Sequence, residues 1–471
     1  MHRRGTHRGT ARRLRAALAL LMAMALIAAA CGDDDDDTAE ASGDGEAPSA
    51  QADSDEDADE GDGASEEAAG DEADGAEPVT IDWWHIQNND PGLADWQAMA
   101  DEFMEMNPHV TIEINPLENE AFKAALQTNL QAGDPPDLFQ SWGGGGLRAQ
   151  VEAGLVQDIT DATSGWIDRL NPSVVELYQV DGVQYGVPFD AGMVGFWYNQ
   201  ELFDEAGIDA PPETWDELLG DVQTLKDAGI TPIALGAGDK WPAHFYYSYL
   251  MLRIGGGDLM EEIAADGDFS RPEVIEAGEE LQRLIDLEPF QAGFLAAPWD
   301  GADGEAGSMG SGAAAMDLMG QWAPGTFRNA GADGEDLPFE LGWFPFPLVE
   351  GGEGVITDAF GGANGFAVGI DAPPEAVEFL EFITNEDNAS TWGENSGLPV
   401  TDGAQDSVTD PNQQQVLAGL EEATFVQLYL DQFFSAELGA AINDAVQTLF
   451  AGSASPEEVA EAITSAAASA G

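Results

Sequence analysis

From Val79 onward, short runs of β-branched and aromatic residues alternate with longer stretches whose apolar residues return every three or four positions. That alternation leaves few architectures open. Val79-Thr80-Ile81-Asp82-Trp83-Trp84-His85 reads as a strand. A helical pattern follows over residues 92–106 and stops at Asn107-Pro108. Residues 110–114 predict a second strand, 120–132 a helix ended by Gly133, and 137–141 a third strand. The glycine run 143–146 then turns into a short helix. Strands joined by helical crossovers lie parallel, so the expected class is α/β, with a mostly parallel sheet covered by helices on both faces. Such sheets bind ligands beyond the carboxyl ends of their strands, which here points to the loops 85–90 and 142–146. Further on, Thr214-Trp215-Asp216-Glu217 is a capping box opening a helix with Leu218, Val222 and Leu225 on one face. Residues 231–235 predict another strand, and Pro373-Pro374 starts a helix that turns Val377, Leu380 and Ile383 inward. Residues 411–468 are expected to be helical throughout, and no sequence repeat is present.

The first 78 residues have a different character. Six Arg and no acid occupy residues 1–15, and residues 16–30 are fifteen consecutive apolar residues. A membrane-spanning helix needs ~20, so the segment 1–30 reads as an export signal. It ends Ala28-Ala29-Ala30-Cys31-Gly32, with small residues directly before the only Cys of the chain. This resembles a bacterial lipobox, with Ala28 where Leu is usual. The resemblance implies cleavage before Cys31, lipid attachment to it, and an extracytoplasmic protein anchored to the cell membrane. An ordinary signal peptide with an incidental Cys is the alternative. Arg12-Arg13 is a fragment of a twin-arginine signal, so the export route stays open.

Residues 32–78 hold 21 acids, no Lys or Arg, and Ala as the only apolar type besides Gly and Pro. Such a segment cannot bury enough surface to offset its ordering entropy and is expected to be a disordered tether. Of the 89 acids in the chain, 68 remain in residues 79–471, against nine of the fifteen bases, for a net charge of −59. An acidic surface repels phosphates, which excludes nucleic acid as a partner. Self-repulsion of that size destabilises a compact domain unless salt screens it, so a salt-adapted habitat is expected.

No H-E-x-x-H or G-x-S-x-G occurs, and a single Cys excludes a disulfide framework. Beyond residue 78 the only His are His85, His109 and His244, too scattered for a zinc triad. The glycine run 143–146 lacks the Lys-Ser/Thr of a phosphate loop and is read as a flexible turn at a ligand cleft. No catalytic residue, metal site or cofactor is therefore expected. In so acidic a chain, however, paired carboxylates for glycoside hydrolysis stay open.

Ordered landmarks carry a family resemblance. They include Gln131-Ala132-Gly133-Asp134-Pro135-Pro136-Asp137, Asp181-Gly182-Val183-Gln184-Tyr185-Gly186-Val187-Pro188, and Trp197-Tyr198-Asn199-Gln200-Glu201-Leu202-Phe203. Pro211-Pro212-Glu213-Thr214-Trp215-Asp216-Glu217-Leu218, Gly312-Ala313-Ala314-Ala315-Met316 and Gly320-Gln321-Trp322 follow, with Gly397-Leu398-Pro399 last. The series resembles the extracellular solute-binding proteins of carbohydrate ABC importers, the group that includes maltose-binding protein. The resemblance implies a two-lobe periplasmic-binding-protein fold of type II-like form, with hinge strands and a ligand cleft between the lobes. One lobe would comprise residues 79–190 and 360–404, the other 191–359 and 405–471. It also implies a monomer that captures a short oligosaccharide and delivers it to the transmembrane permease subunits. Trp83-Trp84-His85-Ile86-Gln87 and His244-Phe245-Tyr246-Tyr247 look most like binders of xylo-oligosaccharides or raffinose-type sugars.

Sugars offer an apolar C–H face to flat aromatics and hydroxyls to carboxylates and amides. Trp322 matches the family's G-x-W segment and is the expected stacking platform. Asp190 stands where the family places an acidic ligand, with a hinge-stabilising role as the alternative. Two of His85, Gln87, Asn88 and Asn89 are expected on the sugar, the others capping the next helix. Trp142, Trp241, His244 and Asn364 complete the candidate ligand set, with Phe433 and Phe434 as late platforms. Trp83, Trp166, Trp215 and Trp343 are assigned to packing. Two competitors remain: a surface-anchored glycoside hydrolase, and a binder of a non-sugar ligand such as a polyamine.

Overall fold

The computed structural model describes residues 77–332 and 334–470. The predicted signal, Cys31 and all of the acidic tether but Glu77 and Pro78 lie outside the described residues. The strands are β1 (Val79–His85), β2 (Val110–Pro116), β3 (Leu138–Ser141), β4 (Gln179–Val180), β5 (Val183–Gln184), β6 (Gly186–Met193), β7 (Gly195–Asn199), β8 (Thr231–Ile233), β9 (Ala314–Met319), β10 (Leu341–Pro345), β11 (Asp358–Val368) and β12 (Phe425–Leu428). One sheet runs β12-β11-β3-β1-β2, with β6 also paired to β11, and a second runs β10-β7-β9-β8.

Parallel pairing holds for β1 with β2 and β3, for β8 with β9, and for β11 with β12. Elsewhere the expected mostly parallel sheet gives way to a mixed one. β11 is antiparallel to both β3 and β6, and β7 is antiparallel to β9 and β10. The strand–helix alternation dictates parallel neighbours only while each strand is followed by its own crossover helix. β6 and β7 follow one another with no helix between them, and β11 arrives from a long loop.

β11 belongs to both halves of the molecule. Its start pairs with β12 at Asp358–Gly361 and its end pairs with β3 at Gly365–Val368. Along its other edge lies β6, whose register slips between Asn364 and Gly365, leaving Phe189 as the extra residue. A bulge re-aims the side chains beside it, and here Asp190 and Asn364 are paired next to it.

Two bodies of buried apolar side chains flank this strand pair. The first draws on residues 81–189 and 363–400, the second on residues 193–360 and 398–463. Trp83 and Trp166 are buried in the first, Trp215 and Trp343 in the second. Local signals set the helix ends. Thr214 and Glu217 form the capping box on Trp215–Asp227, and Gly133 closes Asn119–Ala132 in the left-handed region at φ 75°. The C-terminal region departs from the all-helical expectation, because Phe425–Leu428 is the strand β12. Its aromatic and β-branched residues pair with β11, an environment that 3.6-residue periodicity does not reveal.

The glycine run is a packing device rather than a flexible turn. A Cβ on Gly143 would fall inside the Leu177 backbone, and one on Gly145 inside the Phe434 backbone. The helix Gly144–Glu152 therefore lies hard against neighbouring main chain. Deep in the second body, Asp317 of β9 faces Glu305, and both are fully buried. Glu305 accepts from the Gly236 N–H, while neither Asp317 oxygen finds a hydrogen-bond partner of ordinary geometry.

Candidate functional site

A cavity of about 520 Å³ opens where the two buried bodies meet, within the range of roughly 300–1,000 Å³ usual for small-molecule sites. The first body contributes the loop after β1, the start of the helix Asn119–Ala132, and Trp142 just past β3. The second contributes Trp241, Trp299, Trp322 and Tyr429, while Asp190 and Asn364 come from the paired strands between them.

Asp190 is the polar centre. Its carboxylate accepts from Asn364 Nδ2 at 2.7 Å, from Trp392 Nε1 at 3.4 Å and from Gln321 Nε2 at 3.3 Å. Burial raises its pKa, and these bonds oppose the shift. Donors thus reach one carboxylate from β11, from the helix Glu386–Asn395 of the first body, and from the segment after β9 in the second. Asn364 in turn accepts from Gln140 Nε2 at 3.0 Å. Gly192 makes room for the Gln321 amide, since a Cβ there would overlap it.

The aromatic wall is built around Trp322. Its ring centroid lies 6.4 Å from Trp241 and 6.2 Å from Tyr429, and Trp241 meets Trp299 at 5.8 Å. Gly320 lets the Trp322 indole fold back, because a Cβ at that position would penetrate the ring. The Gly-x-Trp spacing therefore has a steric cause. Across the cavity, Trp142 carries Lys123 Nζ 5.7 Å above its ring. Flat apolar faces beside amides and carboxylates are what a polyhydroxylated ring requires.

A sequence profile describing the bacterial extracellular solute-binding proteins matches residues 89–390. This chain belongs to that family. The multiple sugar-binding protein of Streptococcus mutans is 24% identical over 379 residues, 76% of this chain and 83% of its own. The diacetylchitobiose binding protein of Streptomyces coelicolor is 28% identical over 335 residues, 67% of this chain and 71% of its own. Among solved structures, one from work on xylan utilisation by Caldanaerobius polysaccharolyticus superimposes with a TM-score of 0.76 at 27% identity. It covers 82% of this chain and 99% of its own. A chitin oligosaccharide binding protein shares the fold with a TM-score of 0.75 at 24% identity, over 84% and 99%.

Within the cavity of this solute-binding protein stand Gln87, Asn88, Asn89, Trp142, Asp190, Trp241, Trp322 and Asn364. His85 and His244 do not reach its wall. In β1 the alternate residues Ile81, Trp83 and His85 face inward, so His85 is buried against Trp83 at 4.8 Å. Burial pushes its pKa down to about 3. His244 is buried between Phe245 and Phe360, its pKa also lowered by desolvation, with Asp431 3.8 Å away. Neither Asn88 nor Asn89 caps the following helix; Asn89 donates to Asn88 instead. Phe433 and Phe434 lie off the wall, Phe434 packing on Phe269. Trp299, Tyr429, Trp392, Gln321 and Gln413 line the cavity without having been singled out. Only Gln321 carried a usable signal, as the middle residue of Gly-x-Trp.

Proposed function

We propose that this solute-binding protein is the carbohydrate-capturing component of an ABC importer. It takes a short oligosaccharide into the cavity and presents it to the transmembrane subunits of a permease. The observation that carries this is the wall itself, where Trp241, Trp299, Trp322 and Tyr429 face amides and carboxylates from the opposite body across about 520 Å³. Relatives named for multiple sugars and diacetylchitobiose support the carbohydrate class.

Residues 79–190 with 360–404 form one lobe, and 191–359 with 405–471 the other. β6 and β11 are the hinge strands, and Asp190 holds them in register while offering its cavity edge to the ligand. Gln87, Asn88, Asn89 and Asn364 supply hydrogen bonds, and Trp142, Trp241 and Trp322 supply stacking. The protein binds without turnover and acts as a monomer. Lipid on Cys31 anchors it, and the tether carries the lobes clear of the membrane.

The test is tryptophan fluorescence of residues 79–471 in molar salt, titrated with xylo-, chito- and raffinose-type oligosaccharides and with polyamines. Saturable binding of one sugar, recovered chemically unchanged, supports the proposal. Shortened sugar would make the protein a glycosidase, and a response to polyamines alone would overturn the carbohydrate class. For the anchor, Cys31→Ala should release the protein from the membrane fraction.

A further inference from the structure

The folded chain has nine bases among its 68 acids. Seven of them, Lys123, Arg148, Arg169, Lys226, Lys240, Arg271 and Arg283, stand within ion-pairing distance of carboxylates. The eighth, Arg253, is buried and donates to the carbonyls of Phe346, Val355 and Asp358. The ninth is Arg328. Among the described residues it has neither an ion pair nor a side-chain hydrogen bond, although it is half-buried and lies on the cavity wall. It is carried by the helix Ala323–Gly331, which begins directly after Trp322.

The other charged groups of the wall are mostly occupied. Glu118 and Asp410 accept from backbone N–H groups at helix starts, and Asp431 accepts from Asn443. Lys123 is bonded to Glu120 at 2.9 Å. The wall is therefore rich in acceptors, which suit the O–H donors of a sugar. Its neutral donors include the Gln87 and Asn88 amides and the Trp241 indole N–H, while Arg328 is its one cation without a carboxylate partner among the described residues. A ligand oxygen that can only accept finds its strongest donor in Arg328, whose charged planar fork presents five N–H groups.

Resting on the sugar-binding proposal, we infer that Arg328 is a specificity-determining residue that selects an oligosaccharide bearing an acceptor-only substituent. A carboxylate or an acetamido carbonyl satisfies that chemistry. The uncompensated acids of the wall, Glu394 and Asp90 among them, penalise a full negative charge and favour the neutral carbonyl.

The experiment measures affinities of the wild-type protein, Arg328→Met and Arg328→Lys for chain-length-matched neutral, N-acetylated and uronate-bearing oligosaccharides. Wild type should prefer a substituted sugar. Arg328→Met should lose about tenfold or more for that sugar, as expected for a charge-assisted hydrogen bond, and less than threefold for the unsubstituted one. Arg328→Lys, which keeps the cation at the helix C-terminus but not the fork, should fall between. Preference for the uronate over the N-acetyl sugar would assign the substituent to the carboxylate. Equal loss for all sugars would make Arg328 a structural or lobe-bridging cation and overturn the inference, as would no loss at all. Failure of wild type to bind any sugar would instead refute the sugar-binding proposal.

Discussion

Asp317→Asn should make the protein less sensitive to alkali. Asp317 and Glu305 are buried together in the second lobe, and no base pairs with either among the described residues. Burial pushes Asp317 up to about 7, and burial together with the neighbouring carboxyl pushes Glu305 well above the usual range. An acid with a raised folded pKa contributes stability that is complete below its unfolded value, near 3.8. That contribution is lost as pH rises through the folded value. From about 3.8 to about 7, at about 1.4 kcal/mol per pH unit, the native state gives up roughly 4 kcal/mol. The isosteric amide has no proton to lose and can donate to Glu305, which is then freed from a charged neighbour. The variant should therefore be the more stable protein at pH 8, by about 2–4 kcal/mol. At pH 4.5 the two should be close to equal. Urea denaturation in molar salt, followed by tryptophan fluorescence at half-unit steps between these limits, measures the difference. Asp221, which burial also raises to about 6, titrates in both proteins and cancels. Parallel stability profiles would refute the claim that this pair holds a proton in the folded state.

Trp322→Ala should weaken sugar binding about five- to thirtyfold, the equivalent of about 1–2 kcal/mol of aromatic contact; unchanged affinity by calorimetry would remove it from the platform. Gly145→Ala should cost about 1–3 kcal/mol because its methyl meets the Phe434 backbone. Gly146→Ala, in the same helix with open space around its Cβ, should gain about 0.5–1 kcal/mol. Urea midpoints that moved in the same direction for both would contradict this packing. His85 should stay neutral to about pH 3, so its imidazole proton resonance should not titrate between pH 5 and 8. Because its folded pKa is depressed, the stability it contributes is present above about 6.5 and lost as pH falls, and His85→Leu should flatten that acid limb. With a net charge of −59 on residues 79–471, the domain should gain stability from low to molar salt; a flat melting temperature would rule out the salt-adaptation argument.

Much of the cavity wall was legible in the sequence. The loop after β1 and Trp142 reach the cavity as strand ends, Asn364 from among its glycines, and Trp322 and Asp190 at positions that the family resemblance implied, with Trp241 joining them from the second body. His85 was separable in principle, since it shares the inward phase of Ile81 and Trp83. His244 was not, because it sits in a helix start where Trp241, Phe245 and its neighbours are all buried and no face is distinguished. Tyr429 and Trp392 were hidden for another reason. Each enters the wall from a segment whose local pattern describes only its own helix or strand.

Sequence alone determined the local grammar of this protein: the β1–β3 alternation, the Thr214 cap, the Gly133 stop and the landmarks of its family. These depend on residues a few positions apart, whose steric and hydrogen-bonding preferences act before the chain is folded. The tertiary structure decided that β11 runs antiparallel between β3 and β6, and that residues 425–428 form a strand. It also decided that Asp190 meets Gln321, Asn364 and Trp392. Those contacts join residues more than 60 positions apart, and what fixes them is the burial of two large apolar cores on either side of a shared pair of strands.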